Sequence, residues 1–223
     1  MAAPDRESRS IFSAASPALR AAMERTAQGQ ALAAGATLFS QGDAAEAFYI
    51  IDAGEVEISV ISPGGRKLSI EMMTKGEILG EIGLFAGRRT ATATAVGPVR
   101  LRRVRRADVL AAIRADPDLA VELIEILCAR LRVNVEMIEE RSFQPLPTRL
   151  ARRLLHLADK LAPADGAVRI SQAELADYVG ATREAVAKTL AGWRADGLVG
   201  LSRGVVRVAD RAALVDLAEA ADA

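Results

Sequence analysis

Cysteine, histidine and tryptophan occur once each in the 223 residues, the first two as Cys128 and His156. A single thiol excludes an intrachain disulfide framework. With a single imidazole beside it, the thiolate or histidine clusters that hold zinc or an iron–sulfur centre are excluded too, so no metal site is expected. No stretch approaches the run of about 18 apolar residues that spans a membrane. The N-terminal "MAAPDRESRS" lacks the apolar core of a secretory signal, and a cytoplasmic protein without membrane contact is expected. Net charge is also missing: 29 basic residues face 29 acidic ones. Bulk charge therefore advertises no nucleic-acid partner, and any such partner has to be read from a local site. Cys128 sits in an apolar helical pattern and reads as a buried structural thiol. His156, in "RRLLHLADK", reads as a packing or surface residue.

What the chain does have is apolar material, 51% of its residues, enough to fill two ordinary cores. From about residue 35 to 105, short β-branched runs alternate with glycines. Val56, Ile58 and Val60 alternate with Glu57 and Ser59, the period of a half-buried strand, and Pro63-Gly64-Gly65 marks a turn. Strands at this spacing predict a small antiparallel barrel or roll. Before it, Ser16-Pro17 opens a short helix through "ALRAAMERTA".

From Asp108 the period becomes helical, and Asp116-Pro117 starts a long helix to about Arg141. Ile124, Leu127, Leu131, Asn134 and Ile138 recur at alternating spacings of three and four, the seam of a two-stranded coiled coil. Such a seam predicts a homodimer, against the alternative of a helix packed on its own domain. Pro145 and Pro147 in "FQPLP" then break the helix, and "TRLARRLLHLADKLA" begins another. The divisions are residues 1–115, 116–144 and 145–223.

The C-terminal third carries the most specific pattern. Ser171 and Glu174 form a capping box, Leu175 and Val179 share a face, Gly180 breaks the helix, and Thr182 caps a second helix with Val186 and Leu190 inward. Two short helices joined through a glycine turn are a helix-turn-helix. Arg183, Glu184 and Lys188 project from the N-terminal end of the second helix. Arginine can grip guanine O6 and N7, glutamate can accept from cytosine N4, and lysine can reach guanine or phosphate. The bland alternative is a solvated face with a Glu184–Lys188 pair. "GLVGLSRGVVRV" follows as a hairpin wing carrying Arg203 and Arg207, and Gln172 stands at the start of the first helix, so double-stranded DNA is the expected partner.

One segment remains. "GEIGLFAGRRTATATA" sets a glutamate after a glycine and two arginines shortly beyond, a spacing fitted to grip a ligand that carries both hydroxyls and a phosphate. An enzymatic reading of this segment finds no supporting His, Asp or Cys cluster near Glu81, so an enzyme is not expected.

Over nearly its whole length the chain resembles the cyclic-AMP receptor protein and FNR family of bacterial transcription factors. "AGATLFSQGDAAEAFYIIDAGEVEISV" resembles the opening of a cyclic-nucleotide-binding β-roll, and "GEIGLFAGRRTATATA" its phosphate-binding cassette. The long helix resembles the family's dimerisation helix. The motif G-x-(S/T)-R-E-x-V is matched by Gly180, Thr182, Arg183, Glu184 and Val186. The resemblance implies an α+β fold: an antiparallel β-roll, a long dimerisation helix and a winged helix-turn-helix. It implies that Glu81 takes the ribose 2′-hydroxyl and Arg89 the cyclic phosphate, with Gly80 and the backbone from Ile82 as further donors. Thr90 can reach the phosphate or a guanine amino group, which makes cyclic GMP a rival to cyclic AMP, with a nucleotide-independent regulator of the same family as the other alternative; a second role for Thr90 is to favour a strand. Asn134 and Val135 fall where family members contact the base, although Asn134 also lies on the seam, and an amide suits adenine or guanine equally. Arg88 matches no family position and reads as surface charge or remote support. An oxygen-sensing cluster needs several cysteines, and haem ligation by His156, outside the roll, is not expected. A TGTGA-like inverted repeat and a contact with RNA polymerase complete what the likeness implies.

Overall fold

The structure is a computed structural model that describes residues 16–161 and 167–220; the "MAAPDRESRS" segment lies outside the described residues. The chain divides into two compact units, one of residues up to Val60 with Met72–Asn134, the other of Ile61–Glu71 with Val135 onward.

In the first unit Ser16 caps α1 (Pro17–Glu24), its side chain accepting from the Leu19 N–H. In chain order, strands β1 (Gln28–Leu32), β2 (Thr37–Phe39), β3 (Ala47–Ala53), β4 (Val56–Ile61), β5 (Lys67–Met73, of which Lys67–Glu71 count with the second unit) and β6 (Ile78–Leu79) follow. Then come α2 (Glu81–Ala86), β7 (Thr92–Ala95), β8 (Val99–Arg105), α3 (Arg106–Ala115) and the 26-residue α4 (Asp118–Phe143). The strands make two four-stranded sheets, β1-β8-β3-β6 and β2-β7-β4-β5, with antiparallel registers. Their facing sides bury Ala47, Tyr49, Ile51, Val56, Ala93, Ala95 and Leu101. The outer side of the first sheet is covered by α1, α3 and the start of α4 through Leu19, Met23, Val109, Leu119, Leu123 and Ile126. Burial of this apolar surface, about 25 cal/mol per Å2, is the main force holding the roll shut.

Two expectations need correction. The strand at 56–61 forms, but its polar side is not solvated: Glu57 is 8% and Ser59 2% exposed, whereas Ile58 and Val60 are only half-buried. Alternation fixes which way side chains point, not what covers each face. Cys128 is exposed. The packed stripe of α4 runs through Leu119, Leu123 and Ile126, and at 100° per residue Cys128 lies about 200° away from Ile126. The predicted seam is also open, with Ile124 at 59%, Leu131 at 62% and Ile138 at 65% exposure.

In the second unit α4 ends at Phe143 and α5 (Leu146–Leu161) starts almost at once. The helix begins two residues before the expected Thr148, because Pro147 occupies its first turn, where a missing N–H forfeits no helical bond. After β9 (Ala167–Val168) come α6 (Gln172–Val179), α7 (Arg183–Ala195), β10 (Val199–Ser202), β11 (Val205–Val208) and α8 (Arg211–Glu219). Leu150, Leu154, Leu157, Leu175, Tyr178, Val186, Leu190 and Trp193 form the buried faces. Within this unit His156 is not idle: its Nε2 lies 3.0 Å from Glu71 Oε1, and Lys160 Nζ lies 3.4 Å from the same oxygen. Burial works against ionisation of Glu71. The His156 hydrogen bond and the charges of Lys160, His156 and Arg153 outweigh it and hold the carboxyl well below the usual carboxylate range.

Candidate functional site

The cassette is built by a short helix closed at both ends by glycines. Gly80, at φ 85°, is the N-cap of α2, and Gly87, at φ 82°, is its C-cap; both values suit a residue without Cβ. Gly83 inside α2 has a second reason to be glycine, since a Cβ there would lie 2.9 Å from the Arg88 carbonyl oxygen and 3.0 Å from Ala45 Cβ. The helix thus lies close against the chain that follows.

That chain is laced to the loop before β3. The Arg89 N–H donates to Asp43 O (2.8 Å), the Gly42 N–H to Arg89 O (2.9 Å), and the Ala45 N–H to Gly87 O (3.1 Å). The outlying Arg88 finds its role here, because its Nη1 donates to Gly42 O at 2.9 Å while the side chain stays exposed. It clamps the loop from outside. Arg89 turns inward instead: 5% exposed, it donates from Nη1 to Gly80 O at 3.0 Å. Its Nε has no hydrogen-bond partner among the described residues.

Glu81, 4% exposed, lies at the start of the same helix. Burial pulls the Arg89 guanidinium below its ordinary value, opposed by Tyr49, Asp43 and Glu81; arginine nonetheless remains a cation. A buried carboxyl group and a buried guanidinium with an unpartnered Nε can bind a ligand carrying hydroxyl donors and an anion. Ile82 is half-buried, and Thr90 is exposed. Asn134 is half-buried and Val135 55% exposed on α4; they fall in different units of the chain. The structure therefore brings together Gly80, Glu81, Ile82 and Arg89, and it adds residues the sequence reading missed. Phe39 lies 4.1 Å and Tyr49 5.6 Å from the Arg89 guanidinium, measured to the ring centroids. The available signal was scarcity: five Phe, two Tyr and one Trp are all the aromatics, and two of them converge on one arginine.

The C-terminal constellation forms as its local chemistry dictates. The Glu174 N–H donates to Ser171 Oγ (3.2 Å), and the Ser171 N–H to Glu174 Oε2 (2.7 Å), so the capping box closes both ways. Gly180 ends α6 at φ 66°, and Thr182 Oγ1 accepts from the Ala185 N–H at 3.2 Å to start α7. Val186 and Leu190 are fully buried, while Arg183, Glu184 and Lys188 are exposed. One face of α7 is thus anchored, and the opposite face carries exposed charged side chains. β10 and β11 pair from Val199↔Val208 to Ser202↔Val205, leaving Arg203-Gly204 as a two-residue tip with Gly204 at φ 69°. Arg203 and Arg207 are exposed on this wing, and Gln172 is half-buried at the first position of α6.

Residues 30–116 match the family model of a cyclic nucleotide-binding domain, and residues 148–217 that of a Crp-like helix-turn-helix domain. The chain is 32% identical over 206 residues to a CRP-like cAMP-activated global transcriptional regulator of Mycobacterium tuberculosis, covering 90% of this chain and 92% of that one. It is 34% identical over 186 residues to a cyclic AMP receptor protein of Thermus thermophilus, covering 82% and 85%. Among solved structures, FixK2 from Bradyrhizobium japonicum superposes with a TM-score of 0.77 at 23% identity over 88% of this chain and all of that one, which bears on fold alone. With a nucleotide-type cassette in one unit and a helix-turn-helix in the other, the chain belongs to the CRP/FNR family of DNA-binding transcription regulators.

Proposed function

We propose that this regulator is a homodimer switched by a cyclic nucleotide, with cyclic AMP as effector and a TGTGA-like inverted repeat as target. The observation that carries the reading is Arg89: a buried guanidinium whose Nε lacks a partner, beside the buried Glu81. Burying a charge without satisfying its donors costs several kcal/mol, so such a site favours an anion that satisfies the unpartnered Nε. A cyclic phosphate flanked by a ribose hydroxyl suits the pair, Arg89 taking the phosphate and Glu81 the hydroxyl. The two relatives named above, described as cAMP-activated and as a cyclic AMP receptor, support the choice of base.

Asn134 and Val135 on α4 are assigned to the base, and Thr90 keeps cyclic GMP as the second effector to test. The open stripe of Ile124, Leu131 and Ile138 supports a second copy along α4, since apolar side chains at coiled-coil spacing bury against their equivalents. In the dimer, two α7 helices would enter successive major grooves about 34 Å apart. Nucleotide would favour that arrangement only by its differential affinity for it. Arg183 and Glu184 are assigned to base edges. Lys188 contacts guanine or phosphate without the bidentate fork of arginine. Thr182, Gln172 and Arg203 hold the backbone, and RNA polymerase is the further partner on the promoter.

The test is calorimetric titration of ligand-stripped protein with cyclic AMP and, separately, cyclic GMP, on wild type and Arg89→Ala, with binding to a TGTGA inverted repeat followed in each state. Arg89-dependent binding that strengthens DNA affinity is expected. Absence of binding by either nucleotide would remove the effector half of the proposal, and site selection returning no GTG-like core would remove the target half.

A further inference from the structure

A guanidinium has five N–H donors along its edge and two flat faces with no donor at all. The usual way to hold a buried arginine is by the edge, against a carboxylate, which consumes the donors an incoming anion would need. Arg89 is held differently. Its hydrogen bond to Gly80 O takes Nη1, the buried Nε has no partner among the described residues, and the guanidinium carbon lies over aromatic rings, 4.1 Å from the Phe39 centroid and 5.6 Å from that of Tyr49. The two rings are themselves stacked, 6.0 Å apart at 26°. They come from separate strands, Phe39 from the end of β2 and Tyr49 from the middle of β3, whose inner faces belong to one core. Tyr49 is 8% exposed, so this half of the platform is anchored in the core.

We infer that Phe39, beside Tyr49, is the positioning residue of the proposed anion site: its ring holds Arg89 through a cation–π contact and thereby leaves the buried Nε without a protein partner, available to the phosphate. This deepens the nucleotide reading above and rests on it for the identity of the ligand. The platform also explains why a buried cation is tolerated with so few hydrogen bonds, because the ring quadrupoles replace part of its lost hydration. A leucine at position 39 keeps the apolar packing and removes the quadrupole; a tryptophan strengthens it.

Two readouts separate the platform from the choice of ligand. The first is a double-mutant cycle on urea unfolding of ligand-free protein, with wild type, Phe39→Leu, Arg89→Ala and the double variant. Phe39→Leu should destabilise clearly when Arg89 is present and much less when it is absent, a coupling of roughly three- to thirty-fold in the unfolding constant. The second is the dissociation constant for cyclic AMP, which Phe39→Leu should raise on the order of ten-fold and Phe39→Trp should leave near wild type. An additive cycle overturns the proposal. So does a coupled cycle in which Phe39→Leu leaves the affinity unchanged, or a loss that tryptophan does not restore. If wild type binds no cyclic nucleotide while the cycle remains coupled, the effector assignment fails and the face-held arginine stands.

Discussion

Replacing Gly80 by alanine isolates the geometry on which the anion site depends. The residue sits at φ 85°, and an added Cβ would lie 2.4 Å from Arg89 Nη1 and 3.3 Å from Phe39 Cε1. Placing an L side chain in the left-handed region costs about 1–2 kcal/mol. The collision adds more, because Nη1 cannot stay where it is: moving it gives up a charged hydrogen bond, about 1.5–3 kcal/mol, together with part of the stacking. Gly87, at the other end of the same helix, provides the control. Its φ is 82°, and nothing lies within 4 Å of an added Cβ, so Gly87→Ala should show only the backbone cost, about 1–2 kcal/mol. Urea unfolding of the two variants side by side should therefore place Gly80→Ala below Gly87→Ala by about 2 kcal/mol, the value of the displaced hydrogen bond. Affinity for cyclic AMP should fall further in Gly80→Ala than in Gly87→Ala, since only the former moves the guanidinium. Equal destabilisation of the two variants would show that the Gly80–Arg89 contact carries no energy, and the account of a pre-positioned arginine would fall with it.

Arg183→Ala should weaken binding to the specific DNA site by about 1–3 kcal/mol while leaving nonspecific affinity nearly unchanged, read as a ratio in gel-shift titrations at one salt concentration; an unchanged ratio refutes the base contact. Leu131→Asp, on the open face of α4 at 62% exposure, should convert the proposed dimer to monomer in sedimentation velocity, and a dimer of undiminished stability would move the interface elsewhere. Ser171→Ala removes half of the capping box and should cost about 1 kcal/mol in unfolding free energy. Glu71 sets a pH dependence: its carboxyl is held well below the usual range in the fold. The stability it contributes is therefore present above the unfolded carboxylate value and lost as pH falls toward the folded one. Unfolding measured from pH 7 downward should accordingly fall more steeply for wild type than for Glu71→Gln, and parallel profiles would refute the His156–Glu71–Lys160 cluster as a stabilising element.

The parts of the fold written by local chemistry were legible in the chain. Ser171 and Glu174 announce a helix start because each satisfies the other's backbone donor, and Gly180 announces its end because only a left-handed residue closes that turn. The capping residue Thr182 and the inward pair Val186 and Leu190 followed from spacing alone. What did not follow is what covers a face once it forms. Glu57 and Ser59 looked solvated because they alternate with valine and isoleucine, yet both are buried. Cys128 looked buried because its neighbours are apolar, yet α4 packs through Leu119, Leu123 and Ile126 and turns Cys128 outward. Periodicity reports orientation within an element; burial is decided by other elements, which periodicity does not see.

The same division runs through the proposed anion site. Glu81 and Arg89 stand out in the sequence because carboxylate and guanidinium are chemically distinctive and close together, and both are buried in the fold. Phe39 and Tyr49 do not, because an aromatic in a strand is an ordinary core residue until the tertiary fold sets it against a cation, and the contact to Phe39 joins positions fifty apart in the chain. Arg88 and Arg89 make the point most sharply. Adjacent and identical in type, they do opposite jobs: one is exposed and clamps the Gly42 carbonyl, the other is buried and rests on two rings. Arg88 makes an isolated antiparallel bridge with Ala44, and the neighbouring Arg89 turns to the other side, into the core. The carbonyl of Gly42 outside and the rings inside decided which chemistry each would perform, and neither is visible in the dipeptide itself.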